Sequence, residues 1–326
     1  MARNTQAVLR AILLGVMLVL LVIAYYPFRW DPPRTVRNDV TRTATGALHF
    51  GQMNEARTRG TPGWLSAAQA SGNVAIEVSF SPGSQSGSAS VMMLASDFWH
   101  TDFSIGQAGP DLLVWVRRPG SDANGDPPYT VHGAMQANRW TDVDVVLRNG
   151  AIRVGINGRP RLTGHLPPDF ARSWGPGEIA LGDEVHGGRA WQGQIRMAAV
   201  RTTDGSVDYV RPAALSIPAS YFYAPDHIEP FPPAGLKKWL IVVLDMLSFV
   251  PLGFLLVAAR RPPTGTYAAA LIAAAYAVAL AAGKFLFYAR HTSLGVVLGQ
   301  VAGGLLGAVL ASRLARARHT ARKAPR

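Results

Sequence analysis

Hydrophobicity is distributed along the chain in two patterns. Near the two ends stand four long apolar runs, 11–28, 239–259, 266–283 and 292–312. Only one acid, Asp245, interrupts them, and Lys284 follows the third directly. A bilayer-spanning helix needs about 20 mostly apolar residues, so each run predicts a span. The first is also readable as a signal peptide. Its length, its aromatic end Tyr25-Tyr26-Pro27-Phe28-Arg29-Trp30 and the lack of a small-x-small cleavage site favour an uncleaved helix with an interfacial aromatic belt.

Between the first and second runs the period changes to two. Val143, Val145 and Leu147 alternate with mostly polar residues and end at Asn149-Gly150. Ile152, Val154 and Ile156 repeat the alternation and end at Asn157-Gly158. Asn-Gly is the strongest short hairpin signal, because both residues tolerate positive φ. Further strands are predicted at 75–80, 90–95, 103–107, 112–117, 178–181 and 193–201, with a turn at Asp204-Gly205. No amphipathic helix of useful length is visible there. Many short strands without βαβ alternation predict an antiparallel sandwich or barrel.

Composition sharpens this division. Of 326 residues only 16% are charged, against about 25% in soluble chains. The absence of Cys excludes disulfide scaffolds, thiolate metal sites and cysteine nucleophiles. The net charge of +12 invites a nucleic-acid reading until it is mapped. From Arg29 to Leu236 there are 18 Arg, no Lys and 19 acids, a balance of −1. The remaining ends carry 14 Lys+Arg and the single acid Asp245, a balance of +13. The excess therefore flanks apolar runs, where anionic headgroups hold it, and no nucleic-acid partner is expected.

The same residues orient the chain. Arg3, Arg10, Arg260, Arg261 and the cluster from Arg313 to Arg326 fall on one side of the spans. Arg29, Arg34, Lys237, Lys238 and Arg290 fall on the other. The positive-inside rule then puts both termini in the cytoplasm of a bacterial cell and the long middle segment outside. The expected organisation is a cytoplasmic N-terminus and first span (1–29), an extracytoplasmic β-sandwich (35–215), a Pro-rich linker (216–236), three further spans (237–312) and a basic tail (313–326). The glycine series Gly295, Gly299, Gly303, Gly307, continued by Ala311, lies on one helix face and invites close packing. The alanine-rich third run is its expected partner.

The middle segment resembles a known family. Residues 72–80, Phe103-Ser104-Ile105-Gly106-Gln107, Trp140 with its hairpins, Ile179-Ala180-Leu181-Gly182 and Trp191-Gln192-Gly193-Gln194-Ile195 resemble, in that order, the laminin-G-like, concanavalin-A-like jelly roll. The resemblance covers roughly 40–215 and implies two packed antiparallel sheets with carbohydrate or protein binding. In glycosidases of this fold the catalytic carboxylates fall in a Glu-x-Asp-x-Glu type run, which is missing here. Glu178, Asp183 and Glu184 read as loop acids, and no catalytic residue is assigned. Trp99, His100, Trp115 and Tyr129 are candidate sugar contacts, with core or rim packing as the competing reading. Asp122, Asn124 and Asp126 place three oxygen side chains at alternate positions, as a calcium loop does, and Asp97 and Asp102 are further candidate ligands. Calcium is the one cofactor the sequence admits, and a plain polar turn competes with it.

The second half carries another resemblance. Asp245-Met246-Leu247-Ser248-Phe249-Val250-Pro251-Leu252-Gly253-Phe254, with Arg290-His291-Thr292-Ser293-Leu294 later, resembles the VanZ-like membrane proteins. That resemblance implies a loose link to envelope glycopeptide resistance. The family's Glu-x-x-Gln appears here as Ala281-Ala282-Gly283-Lys284, and its Asn residues as Asp245 and Gln300. The fold class expected overall is mixed: a β-sandwich ectodomain inserted in a four-helix transmembrane domain. Ionisable residues inside spans are functional candidates, which singles out Asp245, Lys284, Arg290, His291, Ser293 and Gln300, with Asp245 and Lys284 at similar depth. The leading reading is a membrane-lipid-embedded binding protein whose sandwich holds glycan or another envelope component. An enzyme acting on a lipid-linked envelope substrate, and a structural partner of an envelope protein in exopolysaccharide assembly, are the alternatives.

Overall fold

The computed structural model describes residues 2–85, 87–97, 99–185, 187–224, 228–229, 236–259, 265–287 and 292–323. The chain separates into two compact units, 34–223 and the combination of 1–33 with 224–326.

The unit 34–223 is an antiparallel sandwich of two large sheets, with one further two-stranded sheet. Its strands are β1 (Arg34–Arg37), β2 (Thr41–Arg42), β3 (Leu48–Phe50), β4 (Val74–Pro82), β5 (Ser88–Asp97), β6 (His100–Ala108), β7 (Asp111–Val116), β8 (Tyr129–Val131), β9 (Thr141–Arg148), β10 (Ala151–Ile156), β11 (Arg159–His165), β12 (Glu178–Leu181), β13 (Gly193–Thr202), β14 (Gly205–Asp208) and β15 (Ser220–Tyr223). The larger sheet runs β11-β10-β9-β4-β13-β3-β2, with β14 also on β13. The smaller runs β12-β5-β6-β7-β8. Asn149-Gly150 and Asn157-Gly158 all have φ between 53° and 75°, the mirror-image turn that matches strand twist. Alternation then decides which side chains go inside. Val143, Val145, Leu147, Ile152 and Val154 of one sheet join Leu94, Phe103, Ile105, Leu112 and Val114 of the other in a single core. Trp191 sits in it, its ring between Phe50 and Phe80, while its indole N–H donates to Gln107 Oε1 at 2.8 Å.

Three features depart from the sequence reading. One short helix, Leu65–Ser71, is present in the sandwich unit. The stretch 216–236, expected as a linker, begins inside the sandwich: Ser216 bonds to Arg57, and β15 pairs with β1. Residues 225–227 and 230–235 lie outside the described residues. Finally, β5 and β6 are buried on both faces. Their outer face is covered by the 183–191 loop, whose Arg189 carbonyl accepts from the Ser90 amide, and by the 122–126 loop, whose Ala123 carbonyl accepts from the Thr101 amide.

The other unit contains four helices long and apolar enough to cross a membrane, spanning Asn4–Tyr25, Leu236–Ala258, Thr266–Lys284 and Leu294–Ala317. The last helix itself continues to Lys323. The glycine series corrects an expectation. A side chain at Gly299, Gly303 or Gly307 would strike the backbone carbonyls of Val242, Met246 and Val250, all on the helix Leu236–Ala258. The stripe therefore packs on the second span, not the alanine-rich third. Gly253 of the second span returns the contact against Gly304. The third span reaches the last helix through Ala273, which lies against Gly304, and through Thr266, whose hydroxyl bonds to that of Ser312 at 2.8 Å.

Candidate functional site

The covered outer face of the smaller sheet holds the sandwich's candidate site. Antiparallel register sets Ala180 beside Met93, Met93 beside Ser104, and Ser104 beside Trp115, in one row across four strands. Gly106 lets the Trp115 ring lie across the sheet, for a Cβ there would stand 2.9 Å from the indole. The Arg189 guanidinium lies over the same ring, 5.4 Å from its centre. Arg189 also meets Glu184 at 3.4 Å and the Ser88 hydroxyl. Beside this stack is a cavity of about 220 Å³ lined by Met93, Trp99, Thr101, Ser104, Trp115, Asn124, Glu184 and Arg189. It offers an aromatic ring, hydroxyls, an amide, a carboxylate and a guanidinium.

The loop that carries Glu184 and Arg189 is tied down by Asp183. Its Oδ1 accepts from the amides of Glu184 and Arg189 at 2.7 and 2.9 Å. Burial raises this carboxyl to about 7.

Trp99, Trp115 and Asn124, all singled out in the sequence, thus share one cavity. Trp115 serves there as the platform for Arg189. His100 packs its Nδ1 2.9 Å from both oxygens of Asp97, which also accepts from the Trp99 amide. Against a desolvation cost, these bonds hold Asp97 below the usual carboxylate range. Tyr129 is outside the cavity; its hydroxyl donates to the His165 carbonyl and Arg118 covers its ring.

The candidate calcium ligands are dispersed. Asp102 is fully buried, paired with Arg117 at 2.5 Å, and accepts from the Gly175 amide. Burial, opposed by Arg117, sets it at about 6. Asp122 folds its own loop: Oδ1 accepts the amides of Asn124 and Asp126 at 2.9 and 2.8 Å. Among the described residues no group of three or more His, Asp or Glu stands ready to share a metal ion.

In the helical unit a second cavity, of about 580 Å³, brings together Asp245, Lys284, Ser293 and Gln300. Gln300 Nε2 donates to Asp245 Oδ1 at 3.0 Å, a hydrogen bond between the second and fourth spans. Arg290 and His291 lie outside the described residues.

No family model matches the chain, and no curated protein sequence matches it significantly. Solved structures do resemble it. A SAP-like pentraxin from Limulus polyphemus is 14% identical, with a TM-score of 0.35, over 54% of this chain and 78% of that one. The CBM40 domain of the Ruminococcus gnavus IT-sialidase, solved with α2,3-sialyllactose, is 14% identical with a TM-score of 0.36, over 48% and 91%. Domain 4 of AbnA, an extracellular arabinanase from Geobacillus stearothermophilus solved with arabinotriose, is 16% identical with a TM-score of 0.36, over 55% and 85%.

Sequence reasoning missed Thr101, Ser104 and Arg189, and took Glu184 for a solvated loop acid. Thr101 and Ser104 occupy strand positions whose covering comes from distant loops. Arg189 reaches Trp115 across 74 residues of chain, and no local pattern marks that contact.

Proposed function

We propose that this chain is a membrane-anchored carbohydrate-binding protein, with the cavity over β5, β6 and β7 as its binding surface. The observation that carries the reading is the composition of that cavity. Trp99 presents a half-buried ring to the apolar face of a sugar. Asn124, Glu184 and Arg189 supply the acceptors and donors that hydroxyl groups require. The 183–189 loop is braced from beneath by Asp183, so these polar groups are set before a ligand arrives. The four long helices supply the anchor, with both termini in the cytoplasm and residues 34–223 displayed outside. The run Phe249–Phe254 has a packing role in this reading, Gly253 against Gly304, and glycopeptide resistance forms no part of it.

The test is a glycan array probed with the full chain in a detergent that carries no sugar. A defined set of glycans should be retained. Trp99→Ala should weaken that retention roughly tenfold or more with an unchanged unfolding temperature, since the ring contributes contact and little core. Arg189→Met should weaken it as well. Wild-type protein that retains no glycan, or Trp99→Ala protein that binds as wild type, contradicts the proposal.

A further inference from the structure

The outer face of the larger sheet carries a different chemistry from the cavity over the smaller one. Its strands turn Val145, Leu147, Ile152 and Val154 into the core, so the residues between them face out. Antiparallel register sets Arg201 of β13 beside Ala75 of β4, Ala75 beside Val146 of β9, and Val146 beside Arg153 of β10. With strands about 4.8 Å apart, the two arginines of this row start about 14 Å from each other. Arg148, two residues along β9, stands beside Ala151 in the next row. Ala75, Val146 and Ala151 are short, and two adjoining hollows open above them. One, of about 310 Å³, is lined by Arg148 and Arg153 with Asn149. The other, of about 260 Å³, is lined by Arg148 and Arg201 with Asn73, Thr202 and Thr203.

The charge of these walls is one-sided, for no acid lines either hollow. Elsewhere on the sandwich arginines meet acids, as Arg196 meets Asp142 at 3.0 Å and Arg57 meets Glu55 at 3.2 Å. Arg201 keeps one such partner, Glu77 at 3.0 Å. Arg148 and Arg153 are exposed and have no ion pair or side-chain hydrogen bond among the described residues. Asp144, on the same face, leans over Gly155, where a Cβ would strike its carboxylate. A guanidinium fork without an acid matches a carboxylate or phosphate. No aromatic ring lines the hollows, so a neutral sugar has no platform here. The strands β13, β4, β9 and β10 are each paired on both edges, so an added peptide strand would find no main-chain partners. Asn73, Asn149 and Thr203 suit hydroxyl groups instead.

We infer that this face binds an acidic glycan. Arg148 and Arg153 hold its carboxylate or phosphate groups, and Asn73, Asn149 and Thr203 bond to its hydroxyls. The site is separate from the cavity over β5, β6 and β7 and does not depend on a ligand there.

The test is titration calorimetry of the full chain in a neutral, sugar-free detergent at about 0.15 M salt, where distant charges are screened. The probes are hexagalacturonate, its fully methyl-esterified form, a phosphorylated mannan and polyglutamate. Hexagalacturonate or the phosphorylated mannan should bind, and the tighter of the two identifies the anion. The methyl ester, the same sugar without charge, should bind at least roughly tenfold more weakly than hexagalacturonate if the carboxylate is the group held. The basic ends of the chain also attract polyanions, so a variant decides where binding occurs. Arg148→Gln combined with Arg153→Gln should weaken the bound acidic glycan roughly tenfold or more, with an unchanged unfolding temperature. Trp99→Ala should leave that affinity unchanged. No binding of either acidic glycan, polyglutamate bound as tightly, an unaltered affinity in the double variant, or an equal loss in Trp99→Ala would overturn the inference.

Discussion

Two carboxyl groups of the sandwich, Asp102 and Asp183, sit where water scarcely reaches. Burial raises Asp102 to about 6 and Asp183 to about 7, from 3.8. Between those limits the folded chain holds protons that the unfolded chain releases, so stability falls as pH rises. Asp111 and Asp142 act oppositely. The Gly133 amide and His132 lower Asp111, and the Ser79 hydroxyl lowers Asp142, so their contribution is lost only as pH falls through the acid range. The unfolding temperature of the sandwich, followed by near-ultraviolet circular dichroism, should therefore rise as pH is lowered from about 8 to 5 and drop below about 4. Asp183→Asn should flatten the upper part of that curve. A temperature that falls steadily from pH 8 to 5 would show that these two groups do not govern it. The same residues mark what the sequence could show. Asp97, Asp102 and Asp122 stand out as oxygen ligands, but their partners, His100, Arg117 and loop amides, are fixed by folding. Trp99 and Trp115 are legible as aromatic surface, whereas the Arg189 that covers Trp115 is not.

At the level of elements, legibility follows the range of the cause. The Asn-Gly hairpins and the strands at 178–181 and 193–201 were readable because turn chemistry and alternation are local. Strands of two or three residues, such as Thr41–Arg42, Leu48–Phe50 and Tyr129–Val131, are too short to show a period. The outer faces of β5 and β6 mislead because loops from elsewhere cover them. The glycine stripe teaches the same lesson in the helices: its spacing defines a face but not the neighbour that uses it. The packing makes a direct prediction. Gly303→Leu forces a side chain into the Met246 carbonyl and should destabilise the bundle by about 1–3 kcal/mol or separate the two helices. Gly15→Leu, at a position with nothing within 4 Å, should be neutral. Thermal unfolding of both variants in one detergent distinguishes them, and equal behaviour would refute the packing.

The whole molecule joins a sandwich with a polar, aromatic-lined cavity to four helices able to cross a bilayer. The proposed orientation rests on the charge distribution, since the basic excess gathers at the ends of the chain. The proposed function depends on that orientation: a carbohydrate site facing the cytoplasm would meet no envelope glycan. Because the chain has no Cys, one introduced thiol is the sole target for a thiol reagent. Ser206→Cys, exposed on β14, and Arg326→Cys in the basic tail are the two reporters. The decisive measurement is their labelling by a membrane-impermeant maleimide on spheroplasts, before and after permeabilisation. The account predicts that the thiol at 206 reacts on intact spheroplasts and the one at 326 only after permeabilisation. A thiol at 206 that is protected until the membrane is opened would contradict it.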